Sequence, residues 1–175
     1  MSTYIGFLRA INLGKTRKFP KDAIIRASEG AGFGEVATHI NTGNVRFETS
    51  LRSRAQIEAA LEAAFGEEAG FEVPTIIFSA AEIREIAEYA ATLGEATRHY
   101  VSLLKQEPSA ASSASMEAAS LDDELVRVQG RAVHLLFSGV NYLDAQITNA
   151  QVEKQLGVAT NRNLTVINAL AQKWC

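Results

Sequence analysis

The hydrophobic pattern of the first 79 residues alternates between strand-like and helix-like periods. Residues Thr3 to Leu8 are apolar on both faces, which predicts a strand covered on both sides. A helix is predicted to open at Phe19-Pro20, because proline is favoured in the first turn of a helix. Its apolar stripe ends in the glycine-containing segment 30–34, so we expect the helix to stop there.

The next stretch, EVATHINTGNVRFET, has the pattern of a hairpin. Two short strands flank a tight turn at Thr42-Gly43 or at Gly43-Asn44, where positive φ is needed. Side chains of a strand alternate between its faces. We therefore expect Val45 and Phe47 to point into the core.

Two helix caps and an edge strand complete this half. Ser53 precedes a run with apolar residues at four-residue spacing, so it is predicted to cap a helix. The strand FEVPTIIFS contains Pro74, which favours an edge position or a bulge. Ser79 is predicted to cap the next helix. The resulting β-α-β-β-α-β order is that of ferredoxin-like folds.

The second half has a less regular pattern. It contains a strand at HYVSLLKQ, an Ala/Ser-rich helix, and a hairpin around residues 129–131. A helix then ends at Gly157, and Thr160 or Asn161 is predicted to cap the last helix. We predict an α+β fold in which a ferredoxin-like half, residues 1–79, packs on a smaller C-terminal α+β half, residues 80–175, as one compact unit.

Composition places this chain among globular proteins of a reducing compartment. Apolar residues make up 47% of the 175 residues, enough to bury a core without a disulfide or a metal. The single cysteine, Cys175, excludes an internal disulfide. No secretion signal or long apolar run is present. We therefore expect a cytoplasmic protein with no membrane partner.

The charge distribution is uneven. Residues 1–21 contain five basic side chains and no acid, whereas the rest of the chain contains 12 basic and 20 acidic residues. A basic segment in an acidic protein indicates either an anionic partner or a solvated basic loop. Both interpretations remain open from the sequence.

The basic segment also contains Gly14-Lys15-Thr16, the end of a phosphate-binding P-loop motif. The motif requires a glycine where Arg9 stands, since that glycine lets the backbone curl around the phosphates. A working P-loop is therefore not expected. What remains is a glycine-containing loop before a helix, which can bind an anion weakly.

RNA recognition and other common chemistries receive little support. A β-α-β-β-α-β RNA-binding sheet needs aromatic residues on its reading face, but only Tyr4 is a candidate. The three histidines are scattered, without metal-ligand spacing. No nucleophile elbow occurs. We expect no cofactor and no metal site, and no catalytic residue can be named.

Three ordered sequence blocks resemble a known family. They are LRAINLGKTRKFP, HINTGNVRF and QLGVATNRNLTVINAL. The segment DDELVRVQGRAVHLLFSGV fits the same pattern. These blocks are similar to the domain of unknown function 1697 family of bacterial proteins, over nearly the whole chain. The resemblance implies two α+β halves, the first ferredoxin-like, and implies no established activity.

The chain also departs from the family pattern. Ala10 and Lys15 stand where the family has glycine, and Leu164 stands where it has tryptophan. Leu143-Asp144 replaces Ser-Lys, which removes a hydroxyl and reverses a charge. The remaining departures are Asn41-Thr42 for Gln-Ser and His39 and His134 for tyrosine.

The polar positions that match the family define a candidate site. Together with Gly14 and Lys15 of the anion-binding loop, the candidate ligand-binding residues are Arg9, Asn12, Asn44, Arg162 and Asn163. We expect them to converge at the junction of the two halves and to bind a small phosphate or carboxylate compound.

Other interpretations of these positions remain open. The same residues are also suited to local turn, cap and carbonyl contacts. An enzyme that stabilises an oxyanion with the Arg/Asn cluster is a second functional hypothesis. Nucleic-acid binding through segment 9–21 is a third. The oligomeric state is not predicted.

Overall fold

The computed structural model describes residues 1–40 and 43–175. The chain divides into two compact units. The first comprises Met1–Glu82 with Trp174, and the second comprises Ile83–Lys173 with Cys175.

The first unit is the ferredoxin-like half that the hydrophobic pattern predicts. Its elements are β1 (Ser2–Leu8), α1 (Lys21–Gly30), β2 (Gly34–His39), β3 (Asn44–Thr49), α2 (Arg54–Ala69) and β4 (Thr75–Ser79), and α3 (Ala80–Thr92) follows. The strands pair antiparallel in the order β2-β3-β1-β4. β4 begins directly after Pro74 and lies at an edge of the sheet, as the position of the proline predicts.

The core of this unit forms between the sheet and the two helices. Phe47 on β3 and Phe65 on α2 are fully buried, and Phe19 packs edge-on against Phe65 with ring centroids 5.4 Å apart. The Ser53 hydroxyl accepts a hydrogen bond from Gln56 N at 3.3 Å and so caps α2, as predicted. Burial of such aromatic side chains supplies most of the stability of a small domain.

The second unit repeats the same topology. Its elements are β5 (Arg98–Leu104), α4 (Ala110–Ala118), β6 (Glu124–Gln129), β7 (Ala132–Phe137), a short 3-10 turn (Tyr142–Asp144), α5 (Asn149–Leu156), β8 (Ala159–Asn163) and α6 (Leu164–Trp174). The strand order is β6-β7-β5-β8, again antiparallel. The molecule is therefore an α+β protein with two four-stranded antiparallel sheets of matching order.

The correspondence extends to individual backbone hydrogen bonds at the ends of β1 and β5. Leu8 N donates to Gly43 O (2.8 Å) and Arg9 N to Pro74 O (2.9 Å), whereas Leu104 N donates to Arg131 O (2.8 Å) and Lys105 N to Val158 O (2.9 Å). Each pair ties the first strand of a unit to its two neighbours in the sheet. The two units are thus built on one repeated arrangement, although the sequence shows no exact repeat.

β8 was not predicted, and the predicted cap of the last helix is wrong. Thr160 and Asn161 lie within β8, paired with β5, and Asn163 caps α6 by accepting from Val166 N at 3.0 Å. The polar run ATNRN lacks a strand-like hydrophobic pattern. It forms a strand because the edge of β5 satisfies its backbone groups.

The turn of the first hairpin falls partly outside the described residues. Asn41 and Thr42 are the two residues that lie outside the described part of the chain. Gly43, which follows them, has φ +78°. The second hairpin turns at Gly130, as predicted, with φ +55°. None of the described helices is both long and apolar enough to cross a bilayer.

Candidate functional site

The loop between β1 and α1 is held together by the side chain of Asn12. Its Oδ1 accepts from Phe19 N at 2.8 Å, and its Nδ2 donates to Phe19 O at 3.3 Å. Asn12 N donates to Arg17 O at 2.7 Å. Asn12 adopts φ +54°, a left-handed conformation that asparagine tolerates better than most residues. These contacts with Phe19 and Arg17 identify Asn12 as an organiser of the loop.

Arg17 closes the base of the same loop. Its Nε donates to Ala10 O at 2.5 Å, and one terminal nitrogen donates to Glu72 O at 2.7 Å. The guanidinium lies 4.5 Å from the ring centroid of Phe71, within cation–π range. One of the five basic residues of segment 1–21 therefore contributes to folding.

The outer face of the loop and the start of α1 form a surface depression of about 520 Å³. It is lined by Asn12, Gly14, Lys18, Pro20, Lys21 and Asp22, and we call it the basic groove. The side chains of Lys18 and Lys21 are exposed. Pro20 occupies the N-cap of α1 without a side-chain cap bond, so the partial positive charge of the helix start faces this surface. Asp22 partly offsets that charge.

Arg9, Lys15 and Asn44 occupy different environments in the first unit. Lys15 is exposed at the tip of the loop, and Arg9 is half-buried just after β1. Asn44 is 1% exposed, and its Nδ2 donates to His39 O at 3.1 Å. Asn12 and Asn44 line one cleft that is too narrow to admit water. Asn44 thus supports the hairpin, which is the local role that the sequence left open.

Arg162 and Asn163 lie in the second unit. Arg162, 9% exposed on β8, donates to Thr160 Oγ1 at 2.9 Å and to Asn161 O at 2.8 Å. Burial lowers the pKa of Arg162 to about 10, so the guanidinium is still charged at neutral pH. Asn163 is the cap of α6. The convergence of these two residues with Arg9, Asn12 and Asn44 stays a prediction.

The sequence did not single out a pair of histidines in the second unit. His99 Nε2 and His134 Nδ1 are 2.9 Å apart, at hydrogen-bond distance. His99 pairs with Leu136 across β5 and β7, and His134 lies two residues from Leu136 on the same face. The strands are not consecutive in the chain, so only their pairing brings the rings together. No group of three potential metal ligands occurs among residues 1–40 and 43–175.

Comparisons with known proteins support a fold and a family. The family model described as "Protein of unknown function (DUF1697)" matches residues 1–134. A conserved bacterial protein, SP0830 from Streptococcus pneumoniae, has a similar structure, with a TM-score of 0.72 and 21% sequence identity over 98% of this chain and 97% of that chain. A comparison with curated proteins finds no significant match.

Proposed function

The chain belongs to the DUF1697 family, whose description assigns no function, and on that premise we propose that it binds a small phosphate or carboxylate compound at the basic groove. The observation that carries this proposal is the pair of exposed lysines, Lys18 and Lys21, beside the open start of α1. The proposal uses the first unit alone and needs neither Arg162 nor Asn163. We place this activity in the cytoplasm, in keeping with the single cysteine.

The arrangement supports a weak and adaptable site. Exposed lysines contribute as point charges on flexible stems, and a helix start adds about 0.3–1 kcal/mol for an anion at its first turn. Asp22 repels the ligand from the same groove. We therefore expect dissociation constants of millimolar order, corresponding to about 4 kcal/mol.

A double substitution tests the basic groove directly. Lys18→Gln with Lys21→Gln removes both groove charges, and we expect inorganic phosphate to bind about tenfold more weakly at low salt. Asp22→Asn removes the repulsion, and we expect binding to tighten several-fold. Isothermal titration calorimetry and amide chemical shifts of the loop provide the measurements.

Lys154→Gln with Lys173→Gln is the matched control. These two lysines are exposed elsewhere in the chain, and the change in net charge is the same. If the control pair weakens phosphate binding as much as the groove pair, the effect is one of overall charge and the groove is not a site.

Nucleic-acid binding is the second candidate, favoured by Lys15, Lys18 and Lys21 on one exposed loop and helix start. The logarithm of the binding constant falls linearly with the logarithm of the salt concentration, with a slope set by the number of phosphates neutralised. Three lysines therefore predict a slope of about −3. Tyr4 stacks on Phe47, with ring centroids 6.0 Å apart, and packs against the core, which argues against base stacking on this sheet. Salt-insensitive binding to an oligonucleotide would exclude the candidate.

The enzyme hypothesis remains a prediction with a separate test. It requires saturable turnover that is lost in Arg9→Ala while the fold is retained. Phosphate or carboxylate binding without turnover would favour the plain binder.

A further inference from the structure

A second depression, of about 320 Å³, lies entirely within the second unit. We call it the β5 pocket, and the lining residues that matter here are Arg98, His99, Asn163, Thr165 and Asn168. Its volume is at the lower end of the range for ligand pockets. The lining combines a cation, an imidazole and several amide or hydroxyl groups, so a small polar ligand fits it best.

One member of the histidine pair, His99, forms part of the wall of this pocket. His134, fully buried behind it, is hydrogen-bonded to His99. The His134 ring also meets Tyr89 edge-on, with centroids 5.1 Å apart. Burial lowers the pKa of His99 to about 4 and that of His134 to about 3. At neutral pH, two uncharged imidazoles therefore share one hydrogen bond, and His134 orients the His99 ring.

The cost of this arrangement distinguishes it from ordinary core packing. His134 Nε2 is buried without a hydrogen-bond partner within the described part of the chain. An unsatisfied buried polar atom destabilises a fold, and an apolar side chain at this position avoids that cost. A role for His134 in orienting His99 accounts for the presence of a polar ring there.

The β5 pocket lies at the corner where β8 ends and α6 begins. Because the two units share one topology, the same corner of the first unit can be compared with it. In the first unit the corresponding corner joins β4 to α3. Ser79 N donates to Glu82 Oε2 at 2.7 Å, and Glu82 N donates to the Ser79 hydroxyl at 3.2 Å. This reciprocal pair is a capping box. It places a carboxylate against the backbone N–H at the junction of strand and helix.

The second unit lacks a carboxylate at the equivalent position. Tyr4 pairs with Ser79 and Tyr100 pairs with Asn163 in the two sheets, so Asn163 is the equivalent of Ser79. The equivalent of Glu82, three residues after the cap, is Val166. Arg98 lines this corner instead, and its side chain makes no hydrogen bond or ion pair with any residue that the structure describes.

We propose that the β5 pocket binds the carboxylate of a small molecule, with Arg98 as the cation and His99 as a hydrogen-bonding wall. The external carboxylate then stands where Glu82 supplies one in the first unit. The side chains of Asn168 and Thr165 are available to form hydrogen bonds with the other polar groups of the ligand. This site is separate from the basic groove and does not rest on it.

Nuclear magnetic resonance of the 175-residue chain tests this site, with acetate as the probe and glycerol as the uncharged control. At constant ionic strength we expect saturable shifts of the His99 ring and of the Leu164 and Thr165 amides. Arg98→Gln is expected to weaken acetate binding about tenfold, the loss of one charge-assisted hydrogen bond. Lys18→Gln with Lys21→Gln is expected to leave it unchanged, which separates this site from the basic groove.

A designed substitution gives an independent test. Val166→Glu recreates the capping box of the first unit, so its own carboxylate should fill the site and abolish acetate binding. Val166→Leu adds bulk without an acceptor and is expected to retain binding. Absence of saturable shifts in the unaltered chain, or binding of inorganic phosphate at this pocket as tight as that of acetate, overturns the proposal.

Discussion

At single positions, the first unit depends on backbone conformations that few residues accept. Ala10 has φ +57° and Arg17 has φ +53°, in the left-handed region where a Cβ atom is unfavourable. The family resemblance places glycine at the position of Ala10, and this φ explains that preference. The loop retains this conformation because Asn12 and Arg17 hold it through several hydrogen bonds.

The positive φ and close packing of Gly43 can be tested by a single substitution. It has φ +78°, and a Cβ atom there would lie 2.9 Å from Leu8 Cβ and 3.3 Å from Leu8 O. We expect Gly43→Ala to lower the free energy of unfolding by about 2–4 kcal/mol, from backbone strain and a steric clash together. Urea denaturation followed by circular dichroism measures this change.

Gly14→Ala is the matched control for Gly43→Ala. Gly14 also has a positive φ, +58°, but a Cβ atom added there would meet no described atom within 4 Å beyond its chain neighbours. We expect a loss of only about 1 kcal/mol. Equal losses at both positions would show that the close approach to Leu8 contributes nothing.

Among helices and strands, caps were easier to predict than the strand at the edge of the second sheet. Ser53 and Ser79 cap helices as expected, because a cap is a local signal in the sequence. β8 depends on pairing with β5, and its polar residues give no local signal. A glutamate on a helix also holds the start of this strand, since Ala159 N donates to Glu153 Oε1 at 3.0 Å. The sequence pattern did not predict this contact.

The corrected cap of α6 leads to a prediction at this scale. Asn163→Ala removes the acceptor for Val166 N, and we expect it to reduce the free energy of unfolding by about 1 kcal/mol. Asn163→Asp keeps an acceptor oxygen and adds charge that favours a helix start. We expect it to match or exceed the unaltered chain in urea denaturation. Equal stability of all three proteins would contradict the role of Asn163 as a cap.

For the molecule as a whole, the buried histidines couple the folding of the second unit to pH. Their pKa values lie near 4 and 3 in the folded chain, below the ordinary value of 6.5. Between the folded pKa values and 6.5, these two histidines bind more protons in the unfolded chain than in the folded chain. The free energy of unfolding therefore rises with pH in this range. The contribution to stability is complete above about pH 6.5 and is lost as the solution is acidified toward pH 4 for His99 and toward pH 3 for His134.

We therefore expect the urea midpoint to fall when the pH is lowered from about 7 to about 5. Most carboxylates remain ionised in this window, so the histidines dominate the change. Replacing both His99 and His134 with asparagine is expected to flatten the dependence, even if the variant is less stable throughout. An unchanged slope in the double variant would assign the proton uptake to other groups.

The sequence by itself determined the elements that carry local signals: the β-α-β-β-α-β order of the first half, the caps at Ser53 and Ser79, and the turn at Gly130. Hydrophobic period, cap chemistry and glycine all act within a few residues, so they can be interpreted without a fold. The family resemblance likewise depended on short ordered blocks.

Tertiary structure alone decided the strand β8, the matching topology of the second unit, the engagement of Arg17 and Asn44 in local support, and the pairing of His99 with His134. Most of these features join residues that are distant in the chain. The Asn44 contact is the exception, because its partner His39 is five residues away, across the first hairpin. Pairing energy and burial at such contacts arise only when the sheet forms. The basic groove lies between these two cases: its lysines are visible in the sequence, whereas their position beside an open helix start follows from the fold.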